Sequence, residues 1–187
     1  MFSLLFNIGR LFRRFGGAKR GSTAIEFAFV VIPFFLLMVG LAEVSMIGLA
    51  QTSLDFAVSE VGRQIRTGQA QLTGKSYAQM QQMLCDQMSA FLFLSCAGNL
   101  YLDVDTFASF TDASNNSAAP ISNNQFQTAG FGYSPGNPSD IVVVRAYYRW
   151  QILTPMFSNF FQNVSGGQRI LVSTMMFRDE PYQATPS

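Results

Sequence analysis

Gly21, Ser22 and Glu26 are the residues whose order offers chemistry. They stand in Arg20-Gly21-Ser22-Thr23-Ala24-Ile25-Glu26-Phe27, where a basic leader ends in a glycine and, five residues past that junction, a carboxylate opens a long apolar run. The arrangement is one of processing and assembly. Hydrolysis between Gly21 and Ser22 would expose a new α-amine about one helical turn from Glu26, and in a stack of subunits that amine could meet a neighbour's carboxylate. The pairing has a use, because a carboxylate at the centre of a spanning helix costs up to about 2.5–3.5 kcal/mol, and less near the helix end.

The remaining reactive residue types are few. Cys85 and Cys96 are the only cysteines and fall in a segment expected outside the cytoplasm, where disulfides form and persist. Joined, they would contribute roughly 3 kcal/mol in the chain-entropy account. A metal would lack further ligands there and a catalytic thiol would lack a base, since the chain has no histidine. Asp103 and Asp105 share one face of a strand, a geometry open to calcium or to acid–base work. The sequence marks no partners converging on them, so they read as a solvated strand face. Asp179-Glu180-Pro181 reads as a strand terminus, and Glu43 as an interfacial acid solvated at the headgroups. No catalytic residue, metal site or cofactor is expected.

Elements must hold these residues in place, and charge orients the first of them. Residues 1–21 carry Arg10, Arg13, Arg14, Lys19 and Arg20 and no acid, so this end should stay on the cytoplasmic, anionic face of a membrane while the chain beyond it crosses to the other side. The net charge of +1 hides the asymmetry: the chain after residue 21 is acidic, which gives no argument for nucleic acid as a partner. No charge interrupts residues 27–42, FAFVVIPFFLLMVGLA, and the apolar stretch reaches Ala50 if Glu26 and Glu43 stand at its margins. That suffices for the roughly 20 residues of a spanning helix. Pro33 lies inside it, where a missing hydrogen bond bends or loosens a helix. A cleavable secretory signal ending near Gly48-Leu49-Ala50 is the competing reading. Glu26 at the junction, and a stretch longer than the about 7–15 residues of a signal core, count against it.

Beyond the membrane, Leu54, Ala57, Val58, Val61 and Ile65 recur at helical spacing and carry the helix to about Thr67, with Gly68 as its stop. Ser76 and Gln79 have capping-box spacing and open a second helix that presents Met80, Met83, Leu84, Met88 and Phe91 to a core. From Leu100 the period becomes two: Leu100, Leu102 and Val104 alternate with Tyr101, Asp103 and Asp105, a half-exposed strand. Residues 111–139, rich in Asn, Ser, Gly and Pro, read as a mobile surface excursion. Residues 140–150 and 168–178 read as two more strands. At 187 residues the chain can supply one membrane segment and one small domain.

A basic leader, a glycine at the cleavage position, and a glutamate fifth in the mature chain followed by Phe27 resemble the class III signal of type IV pilins. Ala24-Ile25-Glu26-Phe27-Ala28, with Pro33 in the apolar run, resembles the TadE-like pseudopilins of the tight-adherence pilus. Val143-Val144-Arg145-Ala146-Tyr147-Tyr148 through Leu153-Thr154-Pro155, and Phe177-Arg178-Asp179-Glu180-Pro181-Tyr182, resemble that family's C-terminal blocks. The chain departs at Asp179, where many relatives carry Asn, and at Tyr147-Tyr148-Arg149, where Tyr-Pro is commoner.

The resemblance and the patterning together imply an α+β, pilin-like fold. A long N-terminal transmembrane helix would carry a small extracytoplasmic domain of helices and a three-stranded antiparallel sheet. The expected division is a cleaved leader at 1–21, a transmembrane helix at 22–50 and a TadE-like domain at 51–187. The resemblance further implies that a prepilin peptidase cuts between Gly21 and Ser22 and that Glu26 and Phe27 serve assembly. The chain would then be a minor pseudopilin of the bacterial inner membrane, with its N-terminus cytoplasmic and its C-terminal domain periplasmic. Its expected partners are membrane lipid, the peptidase and other pilus or pseudopilin subunits. It is not expected to be an enzyme. The alternative is a single-pass, membrane-anchored surface binding module whose 111–139 loop captures a ligand.

Overall fold

The structure, a computed structural model, describes residues 22–89, 94–116 and 120–183. The chain divides into two units, residues 1–42 and 43–187. Helix α1, Ser22–Arg66, begins in the first and ends in the second, and it is helical through Pro33. In the first unit its large apolar side chains, Phe27, Phe29, Phe34 and Leu37 among them, are uncovered. A helix apolar on all sides and uncovered among the described residues has lipid as its matching solvent. Among the described residues this is the one helix long and apolar enough to cross a membrane, with a window of mean hydropathy 2.5.

The second unit contains the rest of α1, then α2 (Gln69–Leu72), α3 (Tyr77–Ser89), β1 (Leu100–Phe107), α4 (Phe110–Asn115), β2 (Ile121–Ser122), β3 (Gln125–Phe126), β4 (Ile141–Gln151), a 3-10 turn at Pro155–Phe157, α5 (Ser158–Phe161) and β5 (Gln168–Arg178). β1, β4 and β5 form one antiparallel sheet with β4 in the centre. The α+β layout, a long apolar helix followed by helices and a three-stranded antiparallel sheet, agrees with the patterning of the sequence. The side chain of Gln51 on α1 donates to the carbonyl of Val172. At the other end Arg66 reaches Glu180. The second half of α1 therefore runs along β5 in the same direction, and the end of the sheet holding Gln151 and Gln168 is the end near residue 43.

Alternation sorts the sheet into two faces. Leu102, Val104, Val144, Ala146 and Tyr148 meet the apolar stripe of α1 and the Met80, Leu84, Met88 stripe of α3 in the main core. α3 starts as the capping box requires: the Ser76 backbone N–H donates to Gln79 Oε1 at 2.8 Å, and the Gln79 N–H donates to Ser76 Oγ at 3.4 Å. Gly68 ends α1 with φ 74° and lies directly under the Tyr182 ring, so a side chain there meets both backbone strain and a blocked space. Cys85 and Cys96 are bonded, tying α3 to the turn before β1.

The opposite face of the sheet corrects two sequence expectations. The described residues of the 111–139 segment do not form a free excursion; they fold across this face and along the edge of β1. Ala113 packs on Ile141 and Val143, and Phe126 and Phe131 pack on Tyr147. The Phe131 and Tyr147 rings stack at 4.9 Å. Asn123 and Asn124, both at positive φ, make the tight turn between β2 and β3, and the Val104 N–H donates to the Gly132 carbonyl. β1 is consequently covered on both faces rather than half exposed. Composition pointed the other way because the anchors are few and widely spaced among polar residues.

Candidate functional site

Gly21 lies outside the described residues. Ser22 is the first residue of α1, and Glu26 and Phe27 are exposed on its opening turns, a carboxylate and an aromatic ring on an uncovered apolar surface.

Glu43 is not an interfacial acid. It is 3% exposed. Its Oε1 accepts from Trp150 Nε1 at 3.3 Å and from the Leu153 N–H at 3.2 Å; its Oε2 accepts from the Thr154 N–H at 3.1 Å and from Thr154 Oγ1 at 3.0 Å. All four partners are donors, which suits a carboxylate that can only accept. The need arises from the chain path: β4 ends at Gln151, so Leu153 and Thr154 turn away from the sheet with backbone N–H groups that must find acceptors elsewhere. Position 43 on α1 supplies them. A buried side chain thus ties the start of the second unit to the connection after β4.

Asp103 and Asp105 also depart from the solvated strand face expected of them. Asp103 sits directly opposite Arg145 in the β1–β4 register and both are buried. Arg145 Nη1 donates to Asp103 Oδ2 at 3.2 Å and to Asp105 Oδ2 at 3.1 Å, and Nη2 donates to the Asn116 carbonyl at 3.1 Å. The Gly132 N–H donates to Asp103 Oδ1 at 3.0 Å. Burial, and then the charge on Asp103, push the Asp105 carboxyl up against the pull of Arg145. The cluster ties Asn116 and Gly132 to the sheet, with both Asp103 oxygens and Asp105 Oδ2 accepting from protein donors. Arg145 was the signal missed in the sequence: a cation amid an apolar strand implies a buried acidic partner.

Asp179, just past β5, is 2% exposed. Its N–H donates to the Asp140 carbonyl at 2.8 Å, and its Oδ2 accepts from Gln71 Nε2 at 3.3 Å. Asp179 Oδ1 and Gln71 Oε1 are both buried without a hydrogen-bond partner among the described residues. Two acceptors in adjoining groups lack a donor that a protonated carboxyl would supply. Burial, and then the Asp140 charge, push the Asp179 carboxyl up to about 7. The unfolded chain releases this proton near an ordinary carboxyl value and the folded chain holds it until about 7. Stability contributed here is therefore full at low pH, falls as pH rises through that window, and is flat above it. Asp179→Asn should remove this slope and stabilise the protein above pH 7 by on the order of 3 kcal/mol, the difference closing near pH 4. Urea unfolding of both proteins across that pH range measures it; parallel stability–pH curves would contradict it.

The two units define a class: an α+β protein with one N-terminal helix able to cross a membrane, a helix-backed three-stranded antiparallel sheet, and, among the described residues, no group of three or more metal-ligating side chains. Residues 21–63 match the family model described as TadE-like protein. The matched stretch holds Ser22, Glu26, Phe27, Pro33 and Glu43, the same N-terminal pattern that carries the resemblance read from sequence, and it associates the chain with the pilus components of that family. It spans less than half of the chain, so the fold of the second unit rests on its own structure. No curated protein and no solved structure matches the chain.

Proposed function

We propose that this protein is a membrane-anchored assembly subunit of a tight-adherence pilus or a related secretion apparatus, a minor pseudopilin rather than an enzyme. The observation that carries the reading is the family match beginning at residue 21, with Glu26 exposed on the opening turns of α1 inside it. In this reading a prepilin peptidase hydrolyses the bond between Gly21 and Ser22, and α1 holds the chain in the bacterial inner membrane. The basic leader stays cytoplasmic and the second unit stands in the periplasm, where Cys85 and Cys96 are oxidised. Glu26 and Phe27 contact other pilus or pseudopilin subunits, and lipid surrounds the rest of the span. The alternative of a membrane-anchored surface binding module would use residues 111–139, of which Ala113, Phe126 and Phe131 pack on the sheet.

Two measurements test the proposal. Mass spectrometry of protein from a host with the matching peptidase should find Ser22 at the N-terminus; full-length chain alone would refute processing. Glu26→Gln should hold its level in the membrane fraction while crosslinking to other apparatus subunits and surface piliation fall by about tenfold, the scale of a lost charge pair worth roughly 1.4 kcal/mol. Normal crosslinking and normal piliation at normal membrane levels would sink the assembly role.

A further inference from the structure

The connection between β4 and β5, residues 152–167, contains no charged residue in ILTPMFSNFFQNVSGG. Its large side chains do not all turn inward: Leu153 is 63% exposed, Met156 60% and Phe160 80%. Soluble surfaces seldom gather exposed groups of this size in one short segment. The neighbouring helix surface continues the pattern, with Val44, Met46 and Leu49 exposed on α1. Met46, Trp150 and Leu153 line one mainly apolar cleft of about 360 Å³.

The position of this patch is fixed by the hydrogen bonds of Glu43. Leu153 and Thr154 are tied to Glu43, the residue that directly follows the charge-free run 27–42 in the chain. The cation on this side of the sheet is Arg169, whose Nη1 donates to the Phe161 carbonyl at 3.0 Å; the Arg149 guanidinium turns to the other face, over the Tyr101 and Phe126 rings. Apolar and aromatic side chains with a flanking arginine, beside the end of a membrane span, match a lipid interface in chemistry and in location.

We infer that residues 153–161 form a second membrane contact, in which Leu153, Met156 and Phe160 enter the headgroup–acyl boundary on the side opposite the leader while Arg169 faces lipid phosphate. The inference rests on the reading of α1 as a membrane span. The contact gives the second unit a membrane attachment of its own, through the β4–β5 connection, in addition to α1. Glu43 is the rivet between the two.

The test uses the full chain in liposomes containing anionic lipid. Single cysteines are introduced as Phe160→Cys, Leu37→Cys and Thr73→Cys and given nitroxide labels; the native cysteines are bonded to each other and do not react. All three sites are exposed, so the labels leave the core intact. Collision with a water-soluble nickel chelate should be at least about threefold lower at 160 than at 73, approaching the protection at 37, because an interfacial group sits about 5–10 Å into the boundary. A label at 160 as accessible as that at 73, with 37 protected, would overturn the interfacial contact alone. Chelate reaching 37 would overturn the span and this inference with it.

Discussion

Arg145→Met should destabilise the second unit by about 3–5 kcal/mol, the usual consequence of removing one partner from a buried ion pair. Asp103 would be left buried in the sheet with its charge uncompensated, since its remaining donor is the Gly132 N–H. The Asn116 carbonyl would lose its guanidinium donor, and with it one tie between the covering segment and the sheet. Urea unfolding of the full chain in detergent measures the loss. The diagnostic is the double variant Arg145→Met/Asp103→Leu. An apolar pair of similar volume often matches or exceeds a buried ion pair in stability, so the second substitution should restore most of what the first removes. A double variant as unstable as the single would show that the clamp contributes through packing instead. The partly exposed Asp105 can regain water in either variant.

Glu43→Gln should cost about 2–3 kcal/mol, from the loss of charge-assisted bonds and the unmatched donors left behind. The amide keeps the volume and has one acceptor oxygen. Whichever way it turns, its NH2 faces either Trp150 Nε1 and the Leu153 N–H or the two donors of Thr154. Removing an acid from a headgroup interface would instead be neutral or favourable, so the sign of the change separates the two roles for this residue. Unfolding followed through Trp150, the only tryptophan, reports at the site itself. Unchanged stability would mean that the carboxylate does not hold the connection after β4. Because the interfacial contact depends on that hold, the variant should also raise chelate access at position 160 in liposomes.

Local signals in the chain were sufficient wherever neighbours in sequence are also neighbours in space. The uninterrupted apolar run 27–42 dictates a helix suited to lipid, since nothing along it can be hydrated at a charge. The Ser76 and Gln79 box sets the start of α3, and the helical stripe Leu54, Val58, Val61 and Ile65 sets the face that α1 turns to the sheet, because caps and stripes act within a turn or two. Alternation placed β1, and β-rich composition placed β4 and β5.

What the tertiary structure decided is the fate of the polar groups. Glu43, Asp103 and Asp179 each look hydrated when only flanking residues are considered, and each is buried because partners distant in the chain are delivered to it: Thr154 to Glu43, Arg145 to Asp103, Gln71 to Asp179. Burying a carboxylate is unfavourable until those donors converge, and convergence is set by strand register and helix direction, which no local pattern encodes. The 111–139 segment follows the same logic. Its few apolar residues gain by burial once Tyr147 and Val143 present a second apolar face, a surface that exists only after β1, β4 and β5 have paired.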